Sequence, residues 1–132
     1  MAQRGGELVE RIENVKITKV SLSMKDHCCL TFKITVEGAG FGVVLGNYSI
    51  GHNFSDAGCT EEESFDATSD GLIAMMKIMD TVGVDAWEDL VGCYARVKVG
   101  GLGSCVTCIG NIIKDKWFDM KEFFENAEKK GE

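Results

Sequence analysis

Between residues 30 and 36 the chain alternates without a break. Leu30, Phe32, Ile34 and Val36 are apolar, and Thr31, Lys33 and Thr35 between them are polar. A period of two predicts a strand with one buried face and one wet face. A strand is also expected over residues 14–23, but its pattern changes phase. Val15 and Ile17 point one way and Val20 and Leu22 the other, which predicts a bulge or bend between them. A third strand, GVVLGNYSI, follows the GAGFG turn at residues 38–42. That turn is not a phosphate-binding P-loop, because no Lys-Ser or Lys-Thr follows and no helix opens there.

Residues 51–70 read as a polar, acidic loop, with Glu61, Glu62 and Glu63 in a row. The next apolar period is helical. Leu72, Met75, Met76, Met79 and Val82 predict a core-packed helix over residues 70–82, with Ser69 as N-cap and Gly83 as C-cap. A short helix is expected from Asp85, where Asp85 and Glu88 have capping-box spacing and Trp87 and Leu90 are apolar. Two more strands are expected at 93–99 and about 104–113. A last helix has Asp119 as cap, Glu122 three residues on, and Phe123 and Phe124 to bury. The order predicts an α+β fold: a mostly antiparallel sheet of about five to seven strands with a central helix, a short helix and a C-terminal helix. Residues 1–13 are expected to be flexible or a short helix, and residues 14–128 to form a single domain. Exposed strand edges in so small a sheet favour a homo-oligomer.

The chain of 132 residues has a formal net charge of -7. That balance argues against binding long nucleic acid, which needs many Lys and Arg on phosphates. It leaves room for a small anion in a local positive pocket. There is no apolar leader and no apolar run long enough to span a bilayer, so no membrane partner is expected and the cytoplasm is the expected location. The six cysteines are then expected to stay reduced. Cys105 and Cys108 have C-x-x-C spacing, but on a strand their thiols would face opposite ways, and no second such pair completes a zinc site. His27 and Cys28 are adjacent and would point apart, so a nucleophile pair does not form. No catalytic residue, metal or cofactor is expected.

One stretch departs from the acidic average. Residues 94–118 hold Arg96, Lys98, Lys114 and Lys116 with Asp115 as their one acid. Tyr94, Arg96 and Lys98 share a strand face. Trp87, Tyr94, Trp117 and Phe118 offer rings for stacking. Cations and rings together suit an anion that carries flat rings, such as a nucleotide. The plainer reading makes Trp87 a core anchor, has Trp117 and Phe118 staple the last helix, and leaves Lys114 and Lys116 as ordinary surface.

The segments KDHCCLTF, VGVDAWEDLVGCYARVK and IGNIIKDKWFDMKEFF, within residues 14–124, resemble a family of small phage and prophage proteins that includes the Thoeris anti-defence sponges. The chain departs from that family's pattern at Cys28, where Gly is common, and at Met120, where Pro is common. The resemblance implies a phage protein that acts in the cytoplasm of an infected bacterial host. It implies that the protein holds a cyclic ADP-ribose isomer, or a cyclic oligonucleotide, without cleaving it, as a dimer or hexamer. On the residue reading, Trp87 or Trp117 would stack on adenine and Arg96, Lys98, Lys114 and Lys116 would neutralise phosphates. Asn111 would hydrogen-bond ribose, Tyr94 and Phe118 would add ring faces, and the KDKWF segment would close over the ligand. Two alternatives remain: an acidic inhibitor that binds a host defence protein through residues such as Glu61 to Glu63, and a signal-degrading enzyme that uses His27 or His52.

Overall fold

The structure is a computed structural model and describes residues 11–26, 29–53, 65–100 and 106–130. Its elements in chain order are β1 (Arg11–Asp26), β2 (Cys29–Gly38), β3 (Phe41–Asn53), β4 (Phe65–Ala67) and α1 (Ser69–Val82). A 3-10 turn (Trp87–Leu90), β5 (Tyr94–Val99), β6 (Cys108–Asn111), β7 (Trp117–Asp119) and α2 (Met120–Lys130) follow. The fold is α+β. Seven strands form one antiparallel sheet in the order β4-β3-β2-β1-β5-β6-β7.

The alternation read in β2 sets the layers. Phe32, Ile34 and Val36 are fully buried on one face, joined by Val15, Ile17, Leu45, Ala95, Val97 and Ile109 from the other strands. Ala74, Met75 and Ile78 of α1, Leu90 of the turn and Met120 of α2 cover them. Full burial of one such aliphatic side chain contributes roughly 1.5–3 kcal/mol. The opposite face carries no helix among the described residues.

The phase change in β1 is a bulge. Ile17 pairs with Val36 but Lys19 pairs with Thr35, so Thr18 is the surplus residue. Val15 and Ile17 on one side of it, and Val20 on the other, all reach the helix-covered face. β1 begins at Arg11 rather than residue 14, with Arg11 opposite Val99 and Ile12 opposite Lys98, so residues 11–13 are neither frayed nor helical.

Several local expectations give way to packing. Residues 51–53 extend β3, and Phe65–Ala67 form an edge strand within the stretch read as loop. Thr68, not Ser69, is the N-cap of α1, and its side chain makes no capping bond. Gly83 does close the helix, at φ 101° with its N–H on Met79 O. The buried stripe of α1 is Gly71, Ala74, Met75, Ile78 and Thr81. Leu72 and Met76, expected in the core, are 60% and 62% exposed. The apolar arc of the helix is wider than the face it buries, with Ser69, Asp70, Lys77 and Asp80 gathered on one side, so periodicity could not choose the inner residues. The expected capping box at Asp85 does not form; Ala86 caps a single 3-10 turn. Asp119 caps α2 as expected, its carboxylate accepting from Glu122 N–H at 3.2 Å. No helix among the described residues is long and apolar enough to cross a membrane.

Candidate functional site

The uncovered face of the sheet holds the strongest constellation. Directly opposed residues of antiparallel strands share a face. Tyr94, Arg96 and Lys98 of β5 therefore lie beside Lys16, Asn14 and Ile12 of β1. On the other side Arg96 pairs with Gly110, and Gly110 pairs with Trp117. This row puts the indole on the same face, one strand beyond Gly110. A Cβ on Gly110 would collide with the six-membered ring of Trp117, so the ring uses the space that glycine leaves.

Two cations sit over that ring. Arg96 Cζ and Lys98 Nζ are each 4.8 Å from its centroid. Such contacts contribute roughly 0.5–1 kcal/mol where exposed. Arg96 is further held by two backbone carbonyls, donating from Nε to Asn111 O at 2.6 Å and from Nη2 to Lys114 O at 2.7 Å. The indole N–H donates to Asp115 Oδ1 at 3.0 Å. One row along, Lys16 Nζ lies 5.9 Å from the centre of the Tyr94 ring, which is 58% exposed. Ring and cation thus occur together twice on one face.

The remaining expected residues are deployed elsewhere. The Asn111 amide is on the helix side, where its N–H groups donate to Thr81 O and Val82 O at the end of α1. Its oxygen accepts from Ile113 N–H and Lys114 N–H, both at 2.9 Å. With both ends engaged, it does not reach the ring platform. Phe118 pairs with Ile109, faces the core and is 8% exposed, which removes it as a stacking surface. Trp87 packs edge-on against buried Phe32 with centroids 5.9 Å apart, so it is the core anchor of the plainer reading. Lys116 is ion-paired with Asp80 at 2.9 Å. Lys114 is exposed, and it is its carbonyl that serves Arg96. The loop expected to close over a ligand is pinned by Asn111 and by the bond from Lys116 N–H to Lys114 O.

Comparison with family models, curated proteins and solved structures yields no match.

A cleft of about 730 Å³ lies on the helix side, lined by Ile73 and Lys77 of α1, by Phe118, by Phe123 and Glu122 of α2, and at the sheet edge by Trp117. Asp70 and Asp119 also border it. Three carboxylates against one lysine suit a phosphate poorly. Among the described residues no cluster of three or more His, Cys, Asp or Glu side chains could hold a metal. Cys108 is buried in the sheet, and Cys105 lies outside the described residues, as do His27, Cys28, Cys59 and residues 61–63. His52 sits on β3, its Nε2 3.0 Å from Ser49 Oγ.

The spacing placed Tyr94, Arg96 and Lys98 on one face, as the register has them, and gave no sign that Lys16, Lys19 and Lys33 continue it. Lys33 was legible as the wet position of β2. Lys16 and Lys19, an odd number of residues apart, share a face only because the Thr18 bulge restores the phase between them.

Proposed function

We propose that this chain binds a small ring-bearing phosphate ester on the Tyr94–Arg96–Lys98–Trp117 platform and holds it uncleaved. The cyclic nucleotide immune signals of the cyclic ADP-ribose type are the ligand class, and sequestration during phage infection is the role. The observation that carries this reading is the placement of Arg96 and Lys98, both 4.8 Å from the Trp117 ring centre, on the uncovered sheet face. Arg96 has donors left on Nη1 after its two carbonyl bonds, and Lys98 supplies a point charge, the two modes of phosphate recognition. Trp117 supplies a base-sized ring, and stacking contributes roughly 1–3 kcal/mol per base. The contacts that fix Arg96 and Trp117 beforehand lower the ordering cost of binding.

Holding a ligand requires a low off-rate. The pinned loop does not provide a closing segment, so coverage by a second protomer takes that role. Ile12 beside Lys98 and Val44 beside Thr35, both exposed on the uncovered face, supply apolar surface for that contact.

The test is to incubate the protein with a panel of cyclic ADP-ribose isomers and cyclic oligonucleotides, heat-denature it, and weigh what is released. Stoichiometric depletion with intact release, lost in Trp117→Ala, is expected. Altered products would make the chain an enzyme, and no depletion of any signal would overturn the reading.

A further inference from the structure

The cations of the uncovered face do not stop at the platform. Lys16 lies between Tyr94 on β5 and Glu37 on β2, Lys19 lies beside Thr35, and Lys33 lies beside Ser21. All three lysines are exposed. On β1, β2 and β5 this face carries Lys16, Lys19, Lys33, Arg96 and Lys98 against Glu37, and Asp115 adds a second acid beside Trp117 at its edge. The whole chain has 14 cations to 21 acids. Net charge averages over the surface, and this face is a local exception to it.

The strip has a length and a direction. Ile12, opposite Lys98, and Ser21, opposite Lys33, are the ends of the β1 stretch that it follows. At roughly 3.3 Å per residue that stretch spans about 30 Å. A single small nucleotide at Trp117 would leave Lys19 and Lys33 unused. Hydroxyl groups of Ser21, Ser23 and Thr35 border the lysines, and Tyr94 and Trp117 supply rings at one end.

We infer that this face is a track for a short single-stranded nucleic acid, whose bases stack on Tyr94 and Trp117 while its phosphates pass Lys16, Lys19 and Lys33. Rings plus a positive path are the ingredients of sequence-tolerant single-strand binding. An acidic peptide would use the lysines but leave the rings without a partner. The acidic remainder of the surface limits the contact to a few nucleotides, near the short end of the roughly 4–16 that an OB-fold covers. The inference shares Tyr94 and Trp117 with the platform reading but not its ligand, so either can fail alone.

The experiment is fluorescence anisotropy with labelled oligothymidylate and oligouridylate of about 12 nucleotides, titrated across about 50–200 mM salt. Log affinity should fall with log salt by about 0.7 per phosphate contacted. The double variant Lys19→Glu/Lys33→Glu should bind at least about tenfold more weakly, with a shallower salt slope. It should still deplete any cyclic nucleotide that the parent depletes. Tyr94→Ala should weaken the oligonucleotide without changing the slope. Thermal melts of each variant should match the parent, since all three positions are exposed. The inference falls if neither strand binds at low salt, or if the double variant binds as the parent does. It also falls if polyglutamate or a duplex of equal length competes as well as the single strand.

Discussion

Trp117 lies across Gly110, in the space a side chain there would fill. The two residues are directly paired between β7 and β6, so no backbone shift can separate them without breaking the edge of the sheet. Gly110→Val should therefore lift the indole away from Arg96 and Lys98. The expected outcome is loss of nucleotide binding by at least about tenfold, with a stability cost of about 1–3 kcal/mol from overpacking. Ligand depletion and urea denaturation, measured on one preparation, check both halves.

Trp117 and Phe118 are neighbours in sequence on opposite faces of the sheet, so their removal should have opposite signatures. Phe118→Ala empties a buried site and should cost about 3 kcal/mol or more. Trp117→Ala should cost far less stability and abolish ligand binding. Equal melting temperatures for the two variants would contradict the facing assigned here.

Asn111 couples β6 to the end of α1 and to the loop before β7. Asn111→Asp keeps the acceptor for Ile113 and Lys114 but loses both donors to Thr81 O and Val82 O. It also places a negative charge at a helix C-terminus, where the dipole is unfavourable to it. A loss of about 2–3 kcal/mol is expected at neutral pH. If Asn111 instead served a ligand, denaturant midpoints would hardly move.

Much of the sheet was legible because its long strands repeat a period of two over enough residues to count. β4 and β7 were not, because three residues carry no period, and they exist only by pairing with β3 and β6. In the candidate site, the shared face of Tyr94, Arg96 and Lys98 followed from spacing alone. Trp117 joined them through Gly110, a link that requires knowing β6 lies between. Asn111 was misread because its partners on α1 lie some 30 residues earlier, and nothing in the local sequence marks an amide as a helix cap at that distance. Leu72 and Met76 were misassigned because the apolar arc of α1 is wider than the face the sheet covers, and the sheet chose the part with Gly71 and Ala74.

Thr18 is the surplus residue of β1, and removing it should be tolerated. Deletion would leave Ile17 followed by Lys19, with every later side chain on its present face. Its visible loss is one hydrogen bond of 3.4 Å to Thr35 O. A folded protein destabilised by about 1–2 kcal/mol is expected, checked by circular dichroism and thermal melting. Deleting Ser21 instead should invert Leu22 and Ser23 and do more damage.

The same bulge falls just past the point where β5 leaves β1, so it divides the strand into a half paired to β5 through Lys16 and a half paired to β2, with Lys16 paired on both sides. Bulges sharpen the right-handed twist of the strands they interrupt. Lys33 and Lys98 consequently belong to two surfaces rotated against each other, and any one molecule touching both must be limp enough to turn a corner. A duplex, stiff over about 150 base pairs, could lie along either half but not follow both.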